Sequence, residues 1–232
     1  MPSAEIDIKY MMGWNGGHRR HVGPVVRTAV EKIKIASDEY GFEPSVPKVV
    51  NVWQVSSTYP VAGEASNAST IDLHFPLRSV RNRKADRLLN LMTVFGFHEF
   101  VHCYRMERYT GEDILEFAAT EGIAYCAQDM MGGDYCGEDE VFSTKDSIPA
   151  YTDEEVKKIT AAFYGDLVRQ RAVDISVDDN YEVHKRWFET PIPRCHLTLG
   201  ETLGVHYAQR HLDKGVQLAD LVMWPAEEII KL

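Results

Sequence analysis

Residues 91–102 read Leu-Met-Thr-Val-Phe-Gly-Phe-His-Glu-Phe-Val-His. Their apolar side chains recur at helical intervals, and Leu91 and Val94 lead into His98 on one face. Because residues four apart on a helix share a face, His98 and His102 lie together on its inward side. Buried imidazoles need polar partners. The stretch therefore predicts a buried helix organised around two histidines.

Apolar residues at helical spacing continue on both sides of this stretch and recur in other parts of the chain. The turn Thr110-Gly111-Glu112-Asp113 resembles a capping box that starts a second helix. Pro225 is expected to kink or split the last helix. The expected helices are about Pro24 to Tyr40, Arg83 to Glu107, the second helix to Gly132-Gly133, Thr152 to Arg171, Leu197 to Leu212 and Val216 to Ile230. The expected strands are Val49 to Val55 and Ser69 to Phe75, joined by a Gly- and Ser-containing connection, and the expected long acidic loop is Gly133 to Pro149.

A small early sheet followed by many helices is typical of an α+β fold. At 232 residues the chain is long enough for one domain with a substantial core. We expect a single domain over 1–232. Its first part, 1–110, holds the N-terminal helix, a small mixed sheet and the histidine helix. Its second part, 111–232, holds the second helix and a mainly helical lobe.

The charge balance limits the classes of partner. The chain has 35 acidic and 25 basic side chains, and its formal net charge of -10 repels phosphate backbones, so nucleic acid is not an expected partner. The N-terminal sequence lacks the layout of a secretory signal, and no apolar run is long enough to span a bilayer. We expect a cytoplasmic protein without a membrane partner, with its four scattered cysteines reduced.

The two histidines belong to an HExxH motif, His98-Glu99-Phe100-Val101-His102. On a helix this spacing lets both imidazoles reach one metal ion, while Glu99 is placed to deprotonate a water instead of ligating the metal. Zn²⁺ is the expected ion because imidazole and carboxylate ligands suit it in a tetrahedral site with one open position. The alternative is a pair of core histidines that hydrogen-bond backbone carbonyls.

A catalytic zinc needs a third protein ligand. The metzincin pattern would require Gly and His where this chain has Arg105 and Arg108, so a glutamate on the following helix is expected instead. Glu121 lies in the middle of that helix's apolar face and is the predicted third ligand, since a buried unpaired carboxylate would be costly. Glu116 lies nearer the polar face and remains the alternative.

With this ligand set the chain resembles the gluzincin clan of metallopeptidases, whose thermolysin-like members pair HExxH with a downstream glutamate. A closer resemblance is to a bacterial family of predicted zinc-dependent proteases. That family shares HExxH, a Glu-Gly-hydrophobic-Ala motif, and a C-terminal Trp-Phe, Pro and paired-glycine segment. Over roughly residues 48 to 230, the corresponding residues here are Glu121-Gly122-Ile123-Ala124, Trp187-Phe188, Pro193 and Gly200-Glu201-Thr202-Leu203-Gly204.

The resemblance implies a zincin-like fold, an edge strand that pairs with an extended substrate, and a residue that stabilises the oxyanion. The candidate strand is Ser69 to Phe75, whose alternation equally suits an ordinary half-buried strand. His196 and Tyr207 are the predicted oxyanion donors, and Arg194 and His206 are left open beside them. A departure from the family pattern occurs at Glu201, where the family has an aromatic residue.

The expected function is that of a zinc metallopeptidase, in which Glu99 is the general base and the substrate is a peptide or protein. Two alternatives stay open. One is a non-catalytic, zinc-stabilised binding domain with a degenerate cleft, which the departure at Glu201 motivates. The other is hydrolysis of a small amide or ester by the same chemistry.

Overall fold

A computed structural model of the chain divides into two compact units, Met1–Arg108 with Ala127–Phe142, and Tyr109–Cys126 with Ser143–Leu232. The single domain over 1–232, with its division at 110/111, stays a prediction. The residues that the structure describes are 6–11, 14, 16–42, 48–55, 62–76, 85–109, 113–135, 151–172, 176–189, 192 and 197–231.

The first unit contains a four-stranded mixed sheet. Its strands are β1 (Asp7–Tyr10), β2 (Val49–Val55), β3 (Ala62–Asn67) and β4 (Thr70–Pro76), in the order β1-β2-β4-β3. β1 and β4 both pair with β2 in parallel, and β3 pairs with β4 antiparallel. The prediction of a small mixed sheet in an α+β fold is thus confirmed, although β1 was not predicted and β3 was expected to be a connection.

Two helices accompany this sheet, α1 (Gly16–Glu39) and α2 (Ala85–Met106). α2 contacts α1, β3 and β4, and most of its side chains are buried. Phe97 and Phe100 stack on each other, and His98 and His102 are also buried. α1 begins eight residues before the predicted start at Pro24. The proline removes one backbone donor, but the helix continues through it because Val22 and Val26 on either side are fully buried.

The second unit is helical. A long helix, α3 (Ile114–Tyr135), runs through both units, and the second unit adds α4 (Asp153–Gln170), α5 (Val177–Phe188), α6 (Leu199–Leu212), α7 (Leu218–Val222) and α8 (Ala226–Ile229). Thr152 caps α4 in a full capping box with Glu155. The predicted last helix is split, since Pro225 stands at the N-cap of α8. α5 was not predicted.

Two sequence expectations fall outside the described residues. They are the Thr110–Glu112 part of the predicted capping box and nearly all of the predicted acidic loop from Gly133 to Pro149. Of the helices that the structure describes, none combines the length and the apolar character needed to cross a bilayer.

Candidate metal centre

α2 presents its two histidines to the same point. His98, Glu99 and His102 are each only 7–8% exposed, although all three side chains are polar. The Nε2 atoms of His98 and His102 are 2.9 Å apart, and the two rings are tilted by 45° with their centroids 4.8 Å apart. At this distance the two nitrogens form a hydrogen bond in which the tautomers decide which ring donates. Both imidazoles thus bring a ring nitrogen, the atom type that can ligate a metal ion, to the same place.

The third predicted ligand joins this pair. One ring nitrogen of His98, one of His102 and a carboxylate oxygen of Glu121 all lie within 4.8 Å of one another, and Glu121 is half-buried. Glu116, the alternative, is not in this group; its Oε1 accepts a hydrogen bond from Thr120 Oγ1 at 3.1 Å. Two ligands of one tetrahedral zinc ion are ~3.3 Å apart, a spacing derived from zinc–nitrogen and zinc–oxygen bonds of about 2.0–2.2 Å. The donor set therefore has the chemistry of a zinc site, and its ligand atoms lie near one another.

The start of α3 is fixed by Asp113. Its Oδ1 accepts hydrogen bonds from the backbone N–H groups of Leu115 at 3.1 Å and Glu116 at 3.0 Å, and its Oδ2 pairs with the Arg171 guanidinium. These contacts satisfy donors that the first helical turn leaves free. α3 therefore begins directly after Asp113, and Glu121 lies two turns into the helix.

Glu99 lies against the edge of the sheet. An ideal Cβ atom added at Gly63 of β3 would be 2.6 Å from Glu99 Cγ and 3.1 Å from its Oε1. A side chain at position 63 would therefore require the side chain of Glu99 to shift. β3 occupies the end of the strand order, whereas β4 is paired on both sides. Of the two readings of Ser69 to Phe75, the edge strand is therefore wrong and the ordinary half-buried strand is confirmed. In the described part of the sheet, β3 is the edge strand beside Glu99.

A close helix crossing supports the segment that carries Glu121. A Cβ on Gly122 of α3 would be 2.1 Å from the carbonyl carbon of Gly204 on α6, and a Cβ on Gly204 would be 1.8 Å from the carbonyl oxygen of Ala118. The backbones touch because neither glycine carries a side chain. Gly200 packs in the same way, since its Cβ would be 2.6 Å from the ring of Phe188. The Glu-Gly and paired-glycine motifs thus have a packing role within the second unit.

Glu201 has a structural explanation of its own. It is the third residue of α6, and its carboxylate accepts a hydrogen bond from the backbone N–H of Thr198, while Thr198 Oγ1 accepts one from Glu201 N–H. This reciprocal pair is a capping box. Tyr125 Oη also donates to Glu201 Oε1 at 3.4 Å. The capping box thus gives Glu201 a structural role in α6, and the non-catalytic alternative that the departure motivated stays a prediction.

Of the two predicted oxyanion donors, the structure describes Tyr207. Tyr207 Oη hydrogen-bonds Thr160 Oγ1 at 3.1 Å. His206 is half-buried, its Nε2 has no hydrogen-bond partner among the described residues, and burial followed by the charge of Arg210 lowers its pKa. His196 and Arg194 lie outside the described residues. The role of His196 and Tyr207 as oxyanion donors stays a prediction.

Cys103, next to His102, is a buried thiol, as expected. Its Sγ donates to the carbonyl oxygen of Asn67 at 3.2 Å, and burial followed by the negative charge of Glu99 raises its pKa to about 12. A protonated thiol is a poor metal ligand and nucleophile. The cysteine therefore packs α2 against the β3–β4 turn and takes no part in the donor set.

The sequence did not single out Gly63 or the contact between Gly122 and Gly204 as parts of the site. The glycines at 122 and 204 were visible within motifs, but their mutual contact depends on how α3 crosses α6. Comparison with known proteins finds no matching family model, no matching curated protein and no matching solved structure. The resemblance to gluzincins is therefore carried by the motifs alone.

Proposed function

We propose that this chain is a zinc-dependent metallopeptidase of zincin-like fold. The observation that carries the proposal is the grouping of His98, His102 and Glu121, whose ligand atoms lie within 4.8 Å of one another. Two imidazoles and a carboxylate are the protein ligands of zinc peptidases that leave a fourth position open. Zn²⁺ supplies Lewis acidity, which lowers the pKa of water and polarises a carbonyl.

Glu99 is the proposed general base. It follows a ligand histidine directly on α2, is buried, and lies against Gly63. Its carboxylate accepts the proton of the attacking water and then passes it to the amide nitrogen that leaves. A buried position favours this role because the proton is not exchanged with bulk solvent between the two transfers.

An extended peptide is the proposed substrate, and β3 is the element that supports this choice. β3 is an edge strand in the described part of the sheet, so the backbone groups on its outer side are free to pair with a further strand. The glycine at position 63 brings Glu99 against the backbone of that strand. A peptide paired with β3 would therefore run beside the general base.

The proposal is tested by combining metal analysis with a cleavage assay on the purified full-length chain. Wild-type protein is expected to hold about one zinc per chain, and Glu121→Ala is expected to lose it. Glu116→Ala, on the same helix, is the matched control and is expected to keep the metal. Glu99→Gln is expected to keep zinc and to lose cleavage of a mixed peptide library by a factor of ~100 or more.

The outcomes separate the alternatives. Wild-type protein that binds no divalent metal would refute the metal centre. Full zinc occupancy with equal cleavage by wild type and Glu99→Gln would refute the assigned base. Full occupancy without any hydrolysis would favour a zinc-stabilised binding domain, and turnover of small esters or amides without peptide cleavage would favour the other hydrolase.

A further inference from the structure

The second unit contains a pocket of about 490 Å³ between α4 and α6. Val156 and Lys157 of α4 face Tyr207 and Arg210 of α6 across it. The volume falls within the range of small-ligand pockets, about 300–1,000 Å³. The hydrogen bond between Tyr207 Oη and Thr160 Oγ1, 3.1 Å long, ties the two helices together beside the pocket. The cavity is therefore part of the packed unit.

The charge of this pocket is opposite to that of the chain. Four of its lining side chains are cationic, and they come from α4, from α6, from the turn after α6 and from the C-terminal segment; they are Lys157, Arg210, Lys214 and Lys231. Among the residues that the structure describes, Asp153 supplies the one carboxylate in its lining. With His211 neutral, the described lining has a formal charge of +3, in a chain of formal net charge -10. Cations gathered around a concave surface concentrate positive potential there.

Internal ion pairs do not account for these cations. In the described part of the chain, no carboxylate lies within ion-pair distance of any of the four. Two other cations of α4, which do not line the pocket, form ion pairs. Lys158 pairs with Glu154 at 3.7 Å, and Arg169 pairs with Asp179 at 2.7 Å. The pocket thus holds basic groups whose hydrogen-bond donors are available to a ligand.

We propose that this pocket binds a small polyphosphate, either free or attached to an organic group. Lysine ammonium groups and the arginine fork are the side chains best suited to phosphate oxygens. The formal charge of +3 exceeds the charge of about −2 that one phosphate group carries, so a ligand with two or more linked phosphates matches the pocket better. Buried Val156 and the ring of Tyr207 form an apolar wall that fits an organic group.

The test measures binding of two probes, sodium tripolyphosphate and ATP, to the full-length protein by isothermal titration calorimetry at low salt. Arg210→Gln and Lys214→Gln remove pocket cations, and each is expected to weaken binding by a factor of ~10, the effect of losing one charged hydrogen bond. Lys158→Gln is the matched control. It neighbours Lys157 on α4 but does not line the pocket, and a change of less than about twofold is expected.

Tripolyphosphate and ATP also chelate divalent metals. All three variants keep the proposed metal ligands, so chelation contributes equally to each, and a difference in affinity between the variants reports on the pocket. Tighter binding of ATP supports contact of an organic group with Tyr207 and Val156, and equal binding supports recognition of the phosphates alone. The proposal is overturned if neither probe binds wild-type protein. It is also overturned if Lys158→Gln weakens binding as much as Arg210→Gln, because the attraction would then be a diffuse surface effect.

Discussion

Replacing Gly204 with alanine is expected to destabilise the second unit. The added Cβ would lie 1.8 Å from the carbonyl oxygen of Ala118, whereas a carbon–oxygen contact needs ~3.3 Å, so α6 and α3 must separate locally by ~1.5 Å. Overpacking of this kind costs about 1–3 kcal/mol, and the upper end applies because the clash is with backbone. The higher helix propensity of alanine offsets ~1 kcal/mol. The expected net loss is ~2 kcal/mol.

Gly165→Ala provides the matched control. Gly165 lies on the exposed side of α4, and nothing lies within 4 Å of a Cβ placed there, so this change is expected to stabilise by up to ~1 kcal/mol. In thermal unfolding followed by circular dichroism, Gly204→Ala should melt ~4–8 °C below wild type and Gly165→Ala at or above it. Equal melting temperatures for the two variants would refute the close helix crossing. Under the proposed function, Gly204→Ala should also bind zinc more weakly, because Glu121 precedes the crossing residue Gly122.

Three further predictions follow from caps and buried groups. Thr198→Ala should lower the free energy of unfolding by ~1 kcal/mol in urea titrations, because the capping box of α6 is lost; an unchanged midpoint would contradict that role. In a Cys136→Ser, Cys195→Ser background, Cys103 should resist iodoacetamide at pH 8 until the protein unfolds, since its pKa is raised to about 12; rapid labelling of the native protein would count against its burial. The pKa of His206 is lowered in the folded state because burial disfavours the charged imidazole. The neutral side chain therefore contributes to stability above pH ~6.5, the pKa in the unfolded chain, and this contribution is lost as the pH falls below that value. The free energy of unfolding of His206→Gln should therefore fall less than that of wild type between pH 7.5 and 5.5, and equal falls would contradict this.

The sequence predicted most helices because their apolar residues recur at helical spacing and their caps are local. Thr152 and Glu155 form the capping box of α4 within four residues, so no distant contact is needed to place that helix start. β3 was missed because Ala62–Asn67 has no β-branched or aromatic residue, and it becomes a strand through its pairing with β4. α5 was missed because only Val183 and Trp187 of its twelve residues are buried.

For the candidate site, the sequence by itself determined that His98, Glu99 and His102 occupy one region of a buried helix, because the helical repeat fixes the direction of residues four apart. Only the tertiary structure decided which carboxylate joins them, since Glu116 and Glu121 lie on the same helix and local periodicity does not measure distance to α2. The tertiary structure likewise decided that Gly63 borders Glu99. Contacts between segments distant in the chain depend on how whole elements pack, and no local pattern encodes that packing.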